Sequence, residues 1–334
     1  MPDIQFSSSD KVLVTGASGF IGSHLTEALV RAGANVRATV HYNSRNSWGN
    51  LELLPPDILA QIEVVTGDIR DGDFVRSAVK GCDTVFHLAA LIAIPYSYVS
   101  PEAYVATNVT GTLNVLQAAR DFDVAHVVHT STSEVYGTAL YAPIDEKHPL
   151  QGQSPYSATK IAADKLAESF YLSFELPVVT VRPFNTFGPR QSARAVIPAI
   201  TIQALSSPDK VKLGSLSPVR DLNFVSDTAR GFMMAAQSPD VLGEVVNLGS
   251  GRGVAIGEVA EKIFEILDVS PVVETDEARV RPEGSEVMKL IANADRARDL
   301  MGWESQVSLE DGLRQTVDWI RANQNIFKSG IYNV

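Results

Sequence analysis

Short apolar, β-branched runs alternate with segments of helical spacing through the first half of the chain. The runs at 11–15, 35–40, 62–66, 84–88, 125–130 and 177–181 predict strands. Between them, apolar residues recur at helical spacing over 20–31, 71–79, 101–121 and 156–174, which predicts helices. Strands that are apolar throughout and alternate with helices belong in a parallel sheet covered on both faces. The expected fold class is α/β, a doubly wound parallel sheet. The second half is patterned differently. Helical segments at 195–205, 254–267 and 309–323 and a strand at 211–214 stand between turns rich in Pro and Gly, which reads as a smaller C-terminal α/β lobe. The predicted division gives 1–183 to the sheet domain, with 220–250 returning to it, and 184–219 and 251–334 to the second lobe.

At 334 residues and 45% hydrophobic content the chain can bury a large core. Its net charge of -11 argues against a nucleic-acid or membrane-surface partner, either of which needs a basic face. Cys82 is the single cysteine, so no intrachain disulfide can form, and its place between Gly81 and Asp83 reads as a turn. The six histidines show no metal-ligand spacing, and no metal is expected. No apolar run reaches membrane-spanning length, and residues 1–5 lack a basic segment followed by an apolar one, so a cytoplasmic location is the expectation.

Directly after the first strand stand Gly16, Gly19 and Gly22, and a helix opens there. Glycines at this place let the backbone turn tightly and approach a pyrophosphate, while the helix N-terminus offers free N–H groups. Gly16, Ser18, Gly19, Phe20, Ile21 and Gly22 are therefore candidate dinucleotide contacts in a Rossmann-type domain. An acidic residue about 20 positions on would grip the ribose hydroxyls of NAD, and 36–45 contains none. It contains His41, Asn43, Ser44 and Arg45 instead, a loop suited to a 2′-phosphate, which favours NADP over NAD. Asp68 and Ile69, after the third strand, and Leu88, Ala89 and Ala90, after the fourth, complete the expected cradle; Asp68 would hold the adenine or cap a helix.

Tyr156 and Lys160 lie four residues apart in a helical segment and share a face. An ammonium beside a phenol lowers the phenol's pKa and makes it a base for a hydroxyl proton. The fifth strand runs into Ser131, Thr132, Ser133 and Glu134, which carries hydroxyls and a carboxylate to the same crevice. Thr132 can hold a reacting hydroxyl. Glu134 can remove a proton from carbon, or it can be a loop carboxylate satisfied by backbone donors.

The glycine loop, the Tyr156–Lys160 pair and the string 131–137 resemble the extended short-chain dehydrogenase/reductase family that acts on nucleotide sugars. The resemblance continues through 182–190, 220–227 and 281–286 and covers 11–320. The segments 42–45, 144–149 and 192–197 are most similar to the 4,6-dehydratases of nonulosonate (legionaminic-acid-type) pathways. The resemblance implies a 4,6-dehydratase of a nucleotide-linked N-acetylglucosamine, with a tightly bound, recycled nicotinamide dinucleotide. It implies Thr132, Ser133, Glu134, Tyr156 and Lys160 as catalytic residues, with Ser133 where thymidine-type dehydratases carry an Asp. It implies Asn108 as a support for Lys160, and Asn185, Arg194, Val196, Arg220 and Arg281 as substrate contacts in a nucleotide-sugar lobe. It also implies a homodimer. A 4-epimerase, a uronate decarboxylase and a non-catalytic dinucleotide sensor are the competing outcomes on the same fold.

Overall fold

The computed structural model describes residues 4–276, 279 and 283–327. The first half builds β1 (Lys11–Thr15), β2 (Asn35–His41), β3 (Ile62–Gly67), β4 (Thr84–His87), β5 (His126–Thr130) and β6 (Val178–Pro183). The second half adds β7 (Asn185–Phe187), β8 (Lys210–Leu213), β9 (Val219–Phe224), β10 (Val245–Leu248), β11 (Gly253–Ala255), β12 (Val272–Thr275) and β13 (Lys289–Leu290). One seven-stranded sheet runs in the order β10-β6-β5-β4-β1-β2-β3, and each neighbouring pair is parallel. The order reverses at β1, between β2 and β4, which is where open α/β sheets bind ligands.

Helices cover both faces. They are α1 (Phe20–Arg31), α2 (Pro56–Leu59), α3 (Gly72–Val79), α4 (Ile94–Val99), α5 (Pro101–Tyr104), α6 (Gly111–Asp121), α7 (Pro155–Phe174), α8 (Val196–Ser206), α9 (Val225–Gln237), α10 (Ile256–Leu267), α11 (Asp295–Met301) and α12 (Leu309–Ala322). Along β1 the period-two alternation sends Val12 and Val14 to one core and Leu13 to the other. The first core packs α1 and α9 through Leu25, Leu29 and Phe232. The second packs α3, α6 and α7 through Val75, Leu116 and Phe170. Each such side chain stabilises the fold by about 1.5–3 kcal/mol through burial.

The helix predicted over 101–121 is present but interrupted: Val105–Thr110 forms a π turn between α5 and α6. Of 220–250, α9 packs on the main sheet and β10 is its edge strand, whereas β9 pairs with β7, β11 and β13 in a smaller sheet. That sheet's Leu222 and Phe224 pack with Ile197 and Ile200 of α8, Ile263 of α10 and Val317 of α12. Among the described residues no helix is long and apolar enough to cross a membrane.

Candidate active site

A cleft of about 670 Å³ opens at the carboxyl ends of β1, β2, β4 and β5, and its far wall is the start of the second lobe. The glycine loop forms its floor. Gly16 has φ +71°, and a Cβ there would meet Ala89 N at 2.8 Å. A Cβ on Gly22 would come within 2.2 Å of the Gly16 carbonyl, so only glycine lets α1 begin so close to the turn. Two buried side chains fix the opposite wall. Thr15 Oγ1 accepts from the amides of Leu88 and Ala89 at 3.1 and 3.2 Å and donates to His87 Nδ1 at 2.8 Å. The other imidazole nitrogen donates to Thr112 Oγ1 at 3.0 Å, and Thr112 donates to the Asn108 carbonyl, which assigns the His87 tautomer. Burial pushes the His87 pKa well below its usual value, so the ring is a neutral spacer.

The cleft is lined with groups a dinucleotide and a polar substrate would use. Three lining oxygens are buried and have no protein partner: Thr130 Oγ1, Asn185 Oδ1 and Gln191 Oε1. A buried acceptor left unmade costs about 1–3 kcal/mol, so these atoms fit a ligand bearing hydroxyl or amide donors. The glycine cradle and these acceptors together fit a dinucleotide beside a sugar.

At the catalytic end, α7 is launched by a capping box in which Ser154 and Ser157 bond reciprocally, with Pro155 in the first turn. Tyr156 therefore sits at the head of the helix with its ring buried, edge-on to Tyr104 at 6.3 Å between centroids. Its phenol faces Thr132, whose Oγ1 accepts the Glu134 amide at 3.2 Å. Ser133 is buried, and Glu134 is half-buried on the cleft wall. Lys160 is buried one turn below Tyr156 and donates to the Thr130 carbonyl at 2.6 Å.

The expected lowering of the phenol's pKa by Lys160 is not what this arrangement gives. Burial raises the Tyr156 pKa well above its usual range; the Thr132 hydroxyl opposes this, and the Glu134 charge adds to it. The ammonium is spent on a strand-end carbonyl rather than on the phenol. Burial also brings Lys160 down to about 8, against the pull of Asp164.

Most of the expected cradle lines the cleft: Gly16, Ser18, Gly19, Phe20, Ile21, Gly22, His41, Asp68, Ile69, Leu88, Ala89, Ala90, Tyr156 and Lys160. Asn43, Ser44 and Arg45 do not. They are exposed beyond the end of β2, and the Asn43 amide is consumed by its own loop, accepting from the Arg45 and Ser47 amides and donating to the His41 and Ser47 carbonyls. Asn108 donates to Thr159 Oγ1, next to Lys160, and also bonds the Leu91 amide and carbonyl, so it ties the loop after β4 to the turn of α7 that carries Lys160. Asp68 does not cap α3, a role taken by Asp71. It is clasped by Arg70 and also touched by His41, and the Arg70 hydrogen bond holds its pKa down at about 2. Of the expected substrate contacts, Asn185 lines the cleft; Arg194, Val196 and Arg220 lie outside it, with Arg220 paired to Glu286 at 3.2 Å. Arg281 lies outside the described residues. Arg70, Thr130, Thr186 and Gln191 are lining residues that the sequence reading missed. A polar side chain at the end of a strand was the available signal for Thr130.

The family described as GDP-mannose 4,6 dehydratase matches residues 13–316. This chain belongs to the GDP-mannose 4,6-dehydratase family. Its members here are extended short-chain dehydrogenase/reductase enzymes of nucleotide sugars, and the seven-stranded parallel sheet is theirs. The chain is 33% identical to the low-salt glycan biosynthesis protein Agl12 of Haloferax volcanii, over 92% of this chain and 97% of that one. It resembles the dTDP-glucose 4,6-dehydratase of Streptomyces venezuelae, solved with NAD bound, at a TM-score of 0.83 and 28% identity, over 95% and 99% of the two chains. It also resembles a UDP-N-acetylglucosamine 4-epimerase of Methanobrevibacter ruminantium, solved with UDP-N-acetylmuramic acid, at a TM-score of 0.85 and 29% identity, over 94% and 99%. Family membership thus covers both dehydratases and epimerases.

Proposed function

We propose that this enzyme is a 4,6-dehydratase that turns an NDP-N-acetylglucosamine-type sugar into a 4-keto-6-deoxy sugar. The carrying observation is Glu134, a half-buried carboxylate on the wall of the cleft that also holds Thr132, Tyr156 and Lys160. Simple oxidation at C4 has no use for it. Gly16, Gly19, Gly22, Asp68 and Ala89 would hold a nicotinamide dinucleotide, which supplies the hydride sink and source between C4 and C6. Thr132 orients the C4 hydroxyl, and Tyr156 takes its proton in the ionised form, which the positive charge of a bound oxidised nicotinamide ring would favour against burial. The C5 proton, now next to a carbonyl, is acidic enough for Glu134 to remove. Glu134 then hands that proton to the departing C6 hydroxyl, the task for which Ser133 offers no acid, and once hydride has returned to C6 the resulting enolate takes a solvent-derived proton at C5. The resemblance of segments 144–149 and 192–197 to the nonulosonate-type dehydratases supports the acetamido sugar. The absence of an acidic residue from 36–45, with His41 at the end of β2, supports NADP as the resident dinucleotide. The exposed Leu172 and Phe174 on α7 support a homodimer packed on that helix.

The test is proton NMR of the product made in deuterium oxide. A C6 methyl doublet collapsed by deuterium at C5 supports the dehydratase. A product with C5 unlabelled and its C6 hydroxyl intact makes the enzyme a 4-epimerase, the reading that its likeness to the Methanobrevibacter ruminantium epimerase favours.

A further inference from the structure

Behind the cleft lies a group of buried charges that the proposed chemistry does not use. Asp164 is one turn beyond Lys160 on α7 and is 4% exposed. Its Oδ1 accepts from His129 Nε2 at 3.1 Å. Its Oδ2 accepts from Ser131 Oγ at 2.7 Å and from Arg182 Nε and Nη2 at 3.2 and 2.9 Å. Arg182 also donates to the Tyr136 hydroxyl at 3.0 Å, and that hydroxyl donates to Asn247 Oδ1 at 2.7 Å. A second cavity, of about 450 Å³, reaches Asp164 and Arg182 from the far side of α7.

Two facts tie this group to the reacting residues. Lys160 and Asp164 grip adjacent residues of one strand end, the Thr130 carbonyl and the Ser131 hydroxyl, and the next residue is Thr132, the partner of Tyr156. Second, the charged and titratable groups around Lys160 are few. They are Tyr156 and Asp164 on α7, His129 on β5, His87 on β4 and Arg182 on β6. Both histidines are held neutral by burial. Asp164 is then the anion facing two cations.

We propose that Asp164 is a positioning residue of this centre: it clamps the end of β5 through Ser131 and is the buried counter-charge that Lys160 shares with Arg182. A buried carboxylate with four donors stays ionised, and an ionised neighbour one helical turn away favours the ammonium form of the lysine. Its catalytic consequence rests on reading Tyr156 and Lys160 as the reacting pair.

The experiment is a nitrogen-15 NMR titration of the lysine side chains in the full chain, with the Lys160 signal assigned by its loss in Lys160→Arg. Burial brings the native ammonium down to about 8, where its titration is expected. Asp164→Asn moves it down by about one unit or more, the scale of a lost opposite charge at this range. Arg182→Gln moves it up, because the carboxylate no longer serves two cations. Opposite shifts cannot come from general loosening of the core. An unchanged titration in either variant overturns the proposal; if Asp164→Asn does not fold, Arg182→Lys, which keeps the cation, should titrate near the native value while Arg182→Gln titrates higher, and equal rises in the two overturn it. The basic limb of the turnover profile follows the same shifts. Titrations that move as stated in a chain that turns over no nucleotide sugar uphold Asp164 and sink the proposed reaction instead.

Discussion

The two later glycines of the phosphate loop serve different ends, and alanine at each separates them. Gly22 lies inside the first turn of α1, where alanine gains about 1 kcal/mol in helix propensity. Its Cβ, however, would stand 2.2 Å from the Gly16 carbonyl, a backbone atom that cannot swing aside. Overpacking of this kind costs about 1–3 kcal/mol, and so severe a contact belongs at or beyond the top of that range. The net loss is about 2 kcal/mol. With an unfolding entropy of about 2.1 cal/mol/K per residue over 334 residues, each kcal/mol moves Tm by about 1.4 °C, so Gly22→Ala should melt about 3 °C lower. Gly19 precedes the helix in an extended conformation that any residue adopts, and its Cβ would meet the same carbonyl at 3.2 Å, which a small adjustment relieves. Gly19→Ala should therefore melt within about 1 °C of the native chain. It should nonetheless bind the dinucleotide at least about tenfold more weakly, a loss of about 1.4 kcal/mol, because the methyl stands where backbone must approach the pyrophosphate. Calorimetry of dinucleotide-free protein and a fluorescence titration with the dinucleotide measure both. Undiminished binding by Gly19→Ala would refute the placement of the pyrophosphate on this loop.

Glu134→Gln should cut product formation and solvent-deuterium entry at C5 by about 10²–10⁴-fold while leaving nucleotide-sugar affinity within about threefold, read by NMR and isothermal titration; equal losses in binding and turnover would reassign the residue. Thr15→Val strips the Ala89 amide and His87 Nδ1 of their partner, while the Leu88 amide keeps the Thr15 carbonyl; at about 1–3 kcal/mol for each buried group left unmade it should lower Tm by several degrees and weaken dinucleotide binding. The third expectation concerns pH. Burial, aided by the Arg190 charge, brings His24 from 6.5 down to about 4. Its Nδ1 accepts from Arg190 at 2.8 Å, so protonation would set two cations against each other. The unfolded chain takes up the proton first, so this stabilisation is complete above pH 6.5 and is lost as pH falls toward 4, up to about 3 kcal/mol. Urea midpoints at pH 7 and pH 4.5 should differ more for the native chain than for His24→Gln; equal differences would refute it.

Local features were legible in the sequence where one periodicity or one turn determines them. The strand–glycine–helix unit at 11–31 and the shared face of Tyr156 and Lys160 follow from spacing alone. β9 and β10 were not legible as strands: Arg220, Asp221 and Asn223 interrupt the apolar run in β9, and their polar groups are buried only because the second lobe brings partners, as when Asp221 accepts from Ser250, Gly251 and Ala292. Nor could sequence place the Lys160 ammonium on Thr130, because the end of a flexible four-carbon stem is set by tertiary neighbours. The Asn43 amide was misassigned for a similar reason. A short amide in a turn has its own backbone within reach, and that partner wins over a distant ligand.

The extra residue wound into 105–110 makes the whole cofactor wall sensitive to chain length rather than to side-chain identity. Excising a single position there would restore regular α winding with α5 and α6 still in register, but would abolish the widened turn that aims the residues within it. Asn108 would rotate away from Leu91, and a deletion that removes no contacting group would unfasten the loop after β4. Insertions and deletions, not point changes, are the variation this stretch is least able to absorb.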